Sequence, residues 1–161
     1  MPGRSSKANA KAKANAKDAP GVPRKGRIAV VWGEFNPTVT EEMRDRAARV
    51  IHAAGYEAAP IVAVNGSYDL PFAVDRALRV RGVVAAVAIG CIITGETKHD
   101  EVIAHAAAKS LLDVSIKHGK PVGLGITGPG QTYPQAKDRI DRADAAVEAV
   151  LKLLAIRSGR Q

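Results

Sequence analysis

Cysteine occurs once in the 161 residues, at Cys91. That excludes a disulfide scaffold and a structural zinc finger, each of which needs several cysteines. It fits a reducing compartment, and the expected location is the cytoplasm. Aromatic residues are scarce at 4%, so aliphatic side chains and alanine must fill the core. Long apolar runs are missing too. The longest uncharged apolar run, 82–93, falls short of the ~20 residues of a membrane span. No apolar signal-peptide segment opens the sequence, so no membrane partner is expected. What is present is ordinary for a soluble globular protein, with 46% apolar and 25% charged residues. The length allows one domain.

Acidic residues are nearly absent from the start. Residues 1–28 carry eight basic side chains against Asp18 alone, a net +7. The rest carries sixteen basic and fifteen acidic residues, a net +1. The overall +8 therefore describes a tail, not the body. Residues 1–26 also lack Leu, Ile, Phe, Tyr and Trp. Such a segment cannot offset its ordering entropy by burial and is expected to be a disordered basic arm. It reads either as a solubilising arm or as one that attracts polyanions by counterion release. An organelle transit peptide is a third reading, and it lacks the apolar face.

From residue 27 to 157 the pattern alternates. Short apolar runs at 28–32, 58–64, 83–93 and 121–126 read as strands. Segments 39–54, 70–80, 99–118 and 133–156 repeat apolar residues at helical spacing. The uninterrupted run at 83–93 suits a strand covered on both faces. Four alternations predict a three-layer α/β sandwich, an open parallel sheet with helices on both faces.

Ligands of such sheets bind beyond the carboxyl ends of the strands. The four strand-to-helix loops therefore deserve the closest reading. Phe35 ends the first strand, either as a stacking ring or as a core plug. Tyr68 and Asp69 offer an aromatic wall and an acceptor, or a simple turn. The third loop, Gly95-Glu96-Thr97-Lys98-His99, opens a helix whose free N–H groups suit an anion. There His99 can move protons near neutral pH. The plain alternative is a Thr97 N-cap with a solvated His99. Arg139 could clamp a phosphate or sit on a solvated helix face. His99, Asp100, Glu101 and His105 do not have the i, i+4 histidine spacing of a helical zinc site, so no metal is expected. Cys91 ends a buried strand and reads as packing.

Taken together, these loops resemble the 6,7-dimethyl-8-ribityllumazine synthase family, in its archaeal branch. The resemblance runs from about Arg27 to Ile156 and leaves out the tail. It is carried by GEFNPTVT (33–40), NGSYDLPFAV (65–74), AIGCIITGETKHDEVIAH (88–105), KPVGLGITGPG (120–130) and QAKDRIDRADAAVEAVLKL (135–153). It implies a flavodoxin-like fold and condensation of 5-amino-6-(ribitylamino)uracil with 3,4-dihydroxy-2-butanone 4-phosphate, with no metal or redox cofactor. By position, Phe35 matches the ring that stacks on the pyrimidine. Ser67, Tyr68 and Asp69 match the segment that holds the ribityl chain. Cys91, Ile92 and Ile93 match the strand end whose backbone reads the pyrimidine edge. Glu96 and Thr97 match the phosphate cradle, and His99 matches the proton-transfer histidine. Leu124 and Arg139 match positions that the family supplies from a neighbouring subunit. A homopentamer is implied, as is the option of a 60-subunit shell. The chain departs from many members at Asn65, Asp69, Asp100 and Leu124. Two other functions compete: an archaeal-type riboflavin synthase on the same fold, and a non-catalytic shell that binds polyanions.

Overall fold

The computed structural model describes residues 25–159. The basic arm expected over 1–26 lies almost wholly outside the described residues. Four strands form one parallel sheet in the order β2-β1-β3-β4. They are β1 (Arg27–Gly33), β2 (Glu57–Val64), β3 (Val83–Cys91) and β4 (Val122–Thr127). The helices are α1 (Pro37–Ala53), α2 (Leu70–Leu78), α3 (His99–His118), α4 (Tyr133–Lys137) and α5 (Arg142–Arg157).

Strand periodicity explains the layers. In β1, Ile28, Val30 and Trp32 point to one face, where they meet Val39, Met43 and Ile51 of α1 and Val147 and Val150 of α5. Ala29 and Val31 point to the other, where they meet Leu70 and Val74 of α2 and Leu111 of α3. β3 divides in the same way, with Val87 and Ile89 on the first face and Ala86 and Ala88 on the second. Both central strands are thus buried on both sides, which is why their sequences do not alternate with polar residues. Ion pairs tie each helix pair at its rim. Arg46 of α1 pairs with Asp144 of α5. Asp75 of α2 receives Lys117 and His118 of α3. The arrangement is the flavodoxin-like, three-layer α/β fold read from the sequence.

Three differences from the sequence reading bear on the site. β3 ends at Cys91 rather than 93. Beyond it, the Ile92 carbonyl accepts from the Gln131 side chain instead of a neighbouring strand. A 3₁₀ turn, Ser67–Asp69, precedes α2. The helix expected over 133–156 breaks between α4 and α5. There the N–H groups of Arg139, Arg142, Ala143 and Asp144 all reach back three residues, not four. These tighter turns use up the carbonyls that a continuous α-helix would need. Apolar periodicity does not distinguish the two, because Ala136 and Ala143 are both fully buried.

The strand order reverses between β1 and β3. The loops after these two strands run to opposite faces of the sheet and leave a crevice at their carboxyl ends.

Candidate active site

β1 leads into the crevice through Gly33, Glu34 and Phe35. The Glu34 and Phe35 N–H groups donate to Val64 and Asn65 carbonyls, which continues the pairing with β2 for two residues. Phe35 then projects outward, 66% exposed. Its ring lies over Gly66, where a Cβ would stand 2.8 Å from two ring carbons. The core-plug reading of Phe35 is therefore set aside. A bare glycine backbone is what allows the ring to lie there.

Asn36 follows in the left-handed region (φ 59°, ψ 57°), which asparagine tolerates better than most residues. Its carbonyl accepts from the Val39 and Thr40 N–H groups. Its side-chain Nδ2 donates to the Cys91 carbonyl at 3.1 Å. The helix start and the end of β3 are thus locked by one residue. Sequence reading missed this role, although an asparagine just before a proline at the first helical position was its signal.

After β2, the 3₁₀ turn places Ser67 inward and Tyr68 outward. Ser67 Oγ sits so close to β3 that a Cβ on Gly90 would lie 2.4 Å away. Asp69 Oδ2 accepts from the Gly66 N–H at 3.2 Å. The turn alternative for Tyr68 and Asp69 is thus correct as local structure. It also leaves Tyr68 66% exposed beside the Phe35 loop.

The third loop carries no cap from Thr97. The N-cap position of α3 is Lys98, and no side chain caps it. The N-cap residue thus offers no acceptor to the first N–H groups of this 20-residue helix. Thr97 and His99 are both exposed there. Asp100 is buried, and this role too was missed. Its Oδ2 accepts from Thr94 Oγ1 at 3.2 Å and from the Gly130 N–H at 3.1 Å. The Gly130 N–H holds the carboxyl below its ordinary range, against the cost of burial. Asp100 therefore stays ionised and pins the third loop to the fourth.

One cavity of about 830 Å³ collects these groups. Phe35, Ser67, Tyr68, Asp69, Cys91, Ile92, Ile93, Thr97 and His99 all line it. Glu96 is exposed and is not among its lining residues. The Cys91 thiol is pushed up by burial, so it is no nucleophile. Backbone groups at the strand end divide into two sets. The Cys91 and Ile92 carbonyls are taken by Asn36 and Gln131, and the Ile92 N–H donates to the Thr127 carbonyl. At Ile93, no hydrogen bond is formed among the described residues.

Leu124 and Arg139 do not join that cavity. They line a second one, of about 370 Å³, on the β4 side, with Gln131 and Arg142. Leu124 is half exposed on this edge strand.

A doubly wound parallel sheet with a roomy crevice at its switch point is a small-molecule-binding α/β protein of flavodoxin-like fold. Comparison with known proteins narrows the class. The family model described as 6,7-dimethyl-8-ribityllumazine synthase matches residues 25–158. The 6,7-dimethyl-8-ribityllumazine synthase of Archaeoglobus fulgidus is 42% identical over 130 residues, 81% of this chain and 91% of that protein. Those of Staphylothermus marinus and Aeropyrum pernix are 45% and 47% identical over 129 residues. These matches take in 80% and 79% of this chain, and 86% and 88% of the respective relatives. The chain belongs to the 6,7-dimethyl-8-ribityllumazine synthase family.

Proposed function

We infer that the protein is a transferase of riboflavin biosynthesis that makes 6,7-dimethyl-8-ribityllumazine from 5-amino-6-(ribitylamino)uracil and 3,4-dihydroxy-2-butanone 4-phosphate. The observation that carries the reading is the lining of a single cavity. A free aromatic face, a carboxylate, the start of α3 and a histidine converge there.

The chemistry needs two substrates held face to face. The 5-amino nitrogen of the uracil attacks the butanone ketone, and one water leaves as the imine forms. Elimination breaks the C–O bond to phosphate, which departs with that electron pair. The ribitylamino nitrogen then closes the second ring, and a second water leaves. Holding both partners in one crevice removes much of the entropic barrier.

Each residue has a task in this scheme. Phe35 stacks on the pyrimidine. The unpaired N–H and C=O of Ile93 read the pyrimidine edge, while Cys91 and Ile92 shape the wall on which it sits. Ser67, Tyr68 and Asp69 hold the ribityl hydroxyls. The backbone at Glu96 and Thr97, at the α3 terminus, receives the phosphate. His99 carries protons between the amine, the ketone oxygen and the departing groups.

Leu124 and Arg139 are supplied to a neighbour's site across the exposed β4 edge. Leu124 covers the ring and Arg139 stabilises the leaving phosphate. Their place in a second cavity, away from the subunit's own crevice, supports a site shared between subunits of a homo-oligomer, a pentamer by resemblance to the family. The net +7 of residues 1–28 supports salt-dependent polyanion binding by that segment.

The test mixes both substrates with the purified oligomer. Lumazine absorbance and released phosphate should rise together, above the uncatalysed rate. His99→Ala and Arg139→Ala should each slow both. No acceleration by an intact oligomer would refute the reading. Riboflavin formation from lumazine alone would replace it with a riboflavin synthase.

A further inference from the structure

Gln131 is only 2% exposed, a buried amide in a strand-to-helix loop that nothing above assigns to the reaction. Its side chain reaches in both directions. Nε2 donates to the Ile92 carbonyl at 3.1 Å and to Thr127 Oγ1 at 2.9 Å. Oε1 accepts from Arg139 Nη1 at 3.3 Å. The orientation of the amide is not arbitrary. A carbonyl can only accept and a guanidinium can only donate, so Nε2 must face Ile92 and Oε1 must face Arg139. The main chain holds the residue as well, because the Gln131 carbonyl accepts from the Thr94 N–H at 2.9 Å. One fixed amide thus joins the wall of a subunit's own crevice to the arginine on its outer flank.

We propose that Gln131 is a positioning residue that orients the Arg139 guanidinium for the phosphate of the butanone substrate. The inference rests on the function proposed above. An exposed arginine on a short helical turn would otherwise spread over many rotamers. A single neutral acceptor on one Nη1 restricts that spread. It leaves the remaining N–H groups for an anion and does not cancel the positive charge, as a carboxylate would. The break between α4 and α5 has a purpose here. The tight turn after Lys137 brings Arg139 back over the loop that carries Gln131.

The test is a double-mutant cycle in the assembled enzyme. It uses Gln131→Leu, Gln131→Glu, Arg139→Ala and the double variant Gln131→Leu/Arg139→Ala. Inorganic phosphate binding is followed by calorimetry, and KM is measured for each substrate. Gln131→Leu should weaken phosphate binding and raise the butanone phosphate KM about fivefold, the worth of one hydrogen bond. The aminouracil KM should move less than that of the butanone phosphate, because that ring contacts neither Gln131 nor Arg139 but only the Ile92 wall that Gln131 braces. Gln131→Glu keeps the side chain's shape but neutralises the guanidinium, and should weaken phosphate further. A further variant, Arg139→Lys, leaves the bond from Gln131 to the Ile92 carbonyl in place and keeps the test alive if a Gln131 variant fails to assemble. It retains the charge but not the fork that Gln131 holds, so undiminished phosphate binding there would overturn the proposal. With Arg139 already removed, Gln131→Leu should have no further effect on phosphate.

Equal losses for both substrates would overturn the proposal and make Gln131 a structural residue. So would an undiminished Gln131→Leu effect in the Arg139→Ala background, or no phosphate effect at all. Wild-type protein that binds phosphate yet forms no lumazine would refute the function instead. The phosphate arm of the cycle would still decide the role of Gln131.

Discussion

Gly66→Ala isolates the stacking ring without touching it. The backbone there is extended (φ −147°, ψ 179°), so alanine fits it without strain. The new Cβ would stand 2.8 Å from two carbons of the Phe35 ring. Ordinary carbon contacts lie at ~3.5–4.0 Å, so the ring must withdraw by about 1 Å. It is 66% exposed and can do so without disturbing the core. Base–aromatic stacking is worth ~1–3 kcal/mol per ring by alanine substitution. Displacement rather than removal places the loss near the lower end, about 1 kcal/mol, or roughly fivefold in the aminouracil KM. Stability should hold or rise by ~0.4–1 kcal/mol, because alanine narrows the unfolded ensemble. Steady-state kinetics and thermal melts together check both parts. In a Phe35→Ala background the substitution should add nothing further to that KM. A melt lowered by several degrees with aminouracil affinity intact would refute the argument, since the ring would then belong to the packing.

Three other perturbations probe the rest of the site and its scaffold. Mixed oligomers of His99→Ala and Arg139→Ala should regain up to about a quarter of wild-type activity after subunit exchange, because each composite site draws on two subunits; no recovery would show that the site is not shared. Gly128→Ala should destabilise by at least about 2 kcal/mol, read as a fall in Tm, since φ there is +91° and a Cβ would lie 2.2 Å from the Ile92 oxygen. Asp75 is held far below the ordinary carboxylate range, first by the His118 hydrogen bond and then by Lys117 and Arg79. A depressed folded-state value contributes stability above the unfolded pKa of ~3.9, and that stability is lost as pH falls through the folded value. Asp75→Asn should therefore lower stability at neutral pH and flatten its decline below about pH 4 in denaturant titrations.

Chain patterning carried most of the architecture. Unbroken apolar runs marked the central strands because a strand covered by helices on both faces has no reason to alternate. Apolar residues at helical spacing marked α1 and α3, and the α3 bounds agree at both ends, closed by Gly119 in the left-handed region. Loop composition pointed to Phe35, Tyr68, Asp69, Thr97 and His99, because the fold class already says where such loops must meet. Asn36, Asp100 and Gln131 were legible only as turn or helix-start residues. Their roles are bonds of 3.1 Å to Cys91, Gly130 and Ile92, which lie 55, 30 and 39 positions away in the chain. Nothing local encodes a partner at that separation. The same holds for the break before α5, since a turn of three-residue hydrogen bonds leaves the same apolar spacing as an α-helix. The order and kind of the elements thus follow from short-range chemistry, which acts along the chain. The exposure of the Phe35 ring, the aim of Arg139 and the division of groups between two cavities follow from long-range packing, which exists only once the sheet has brought the loops to one edge.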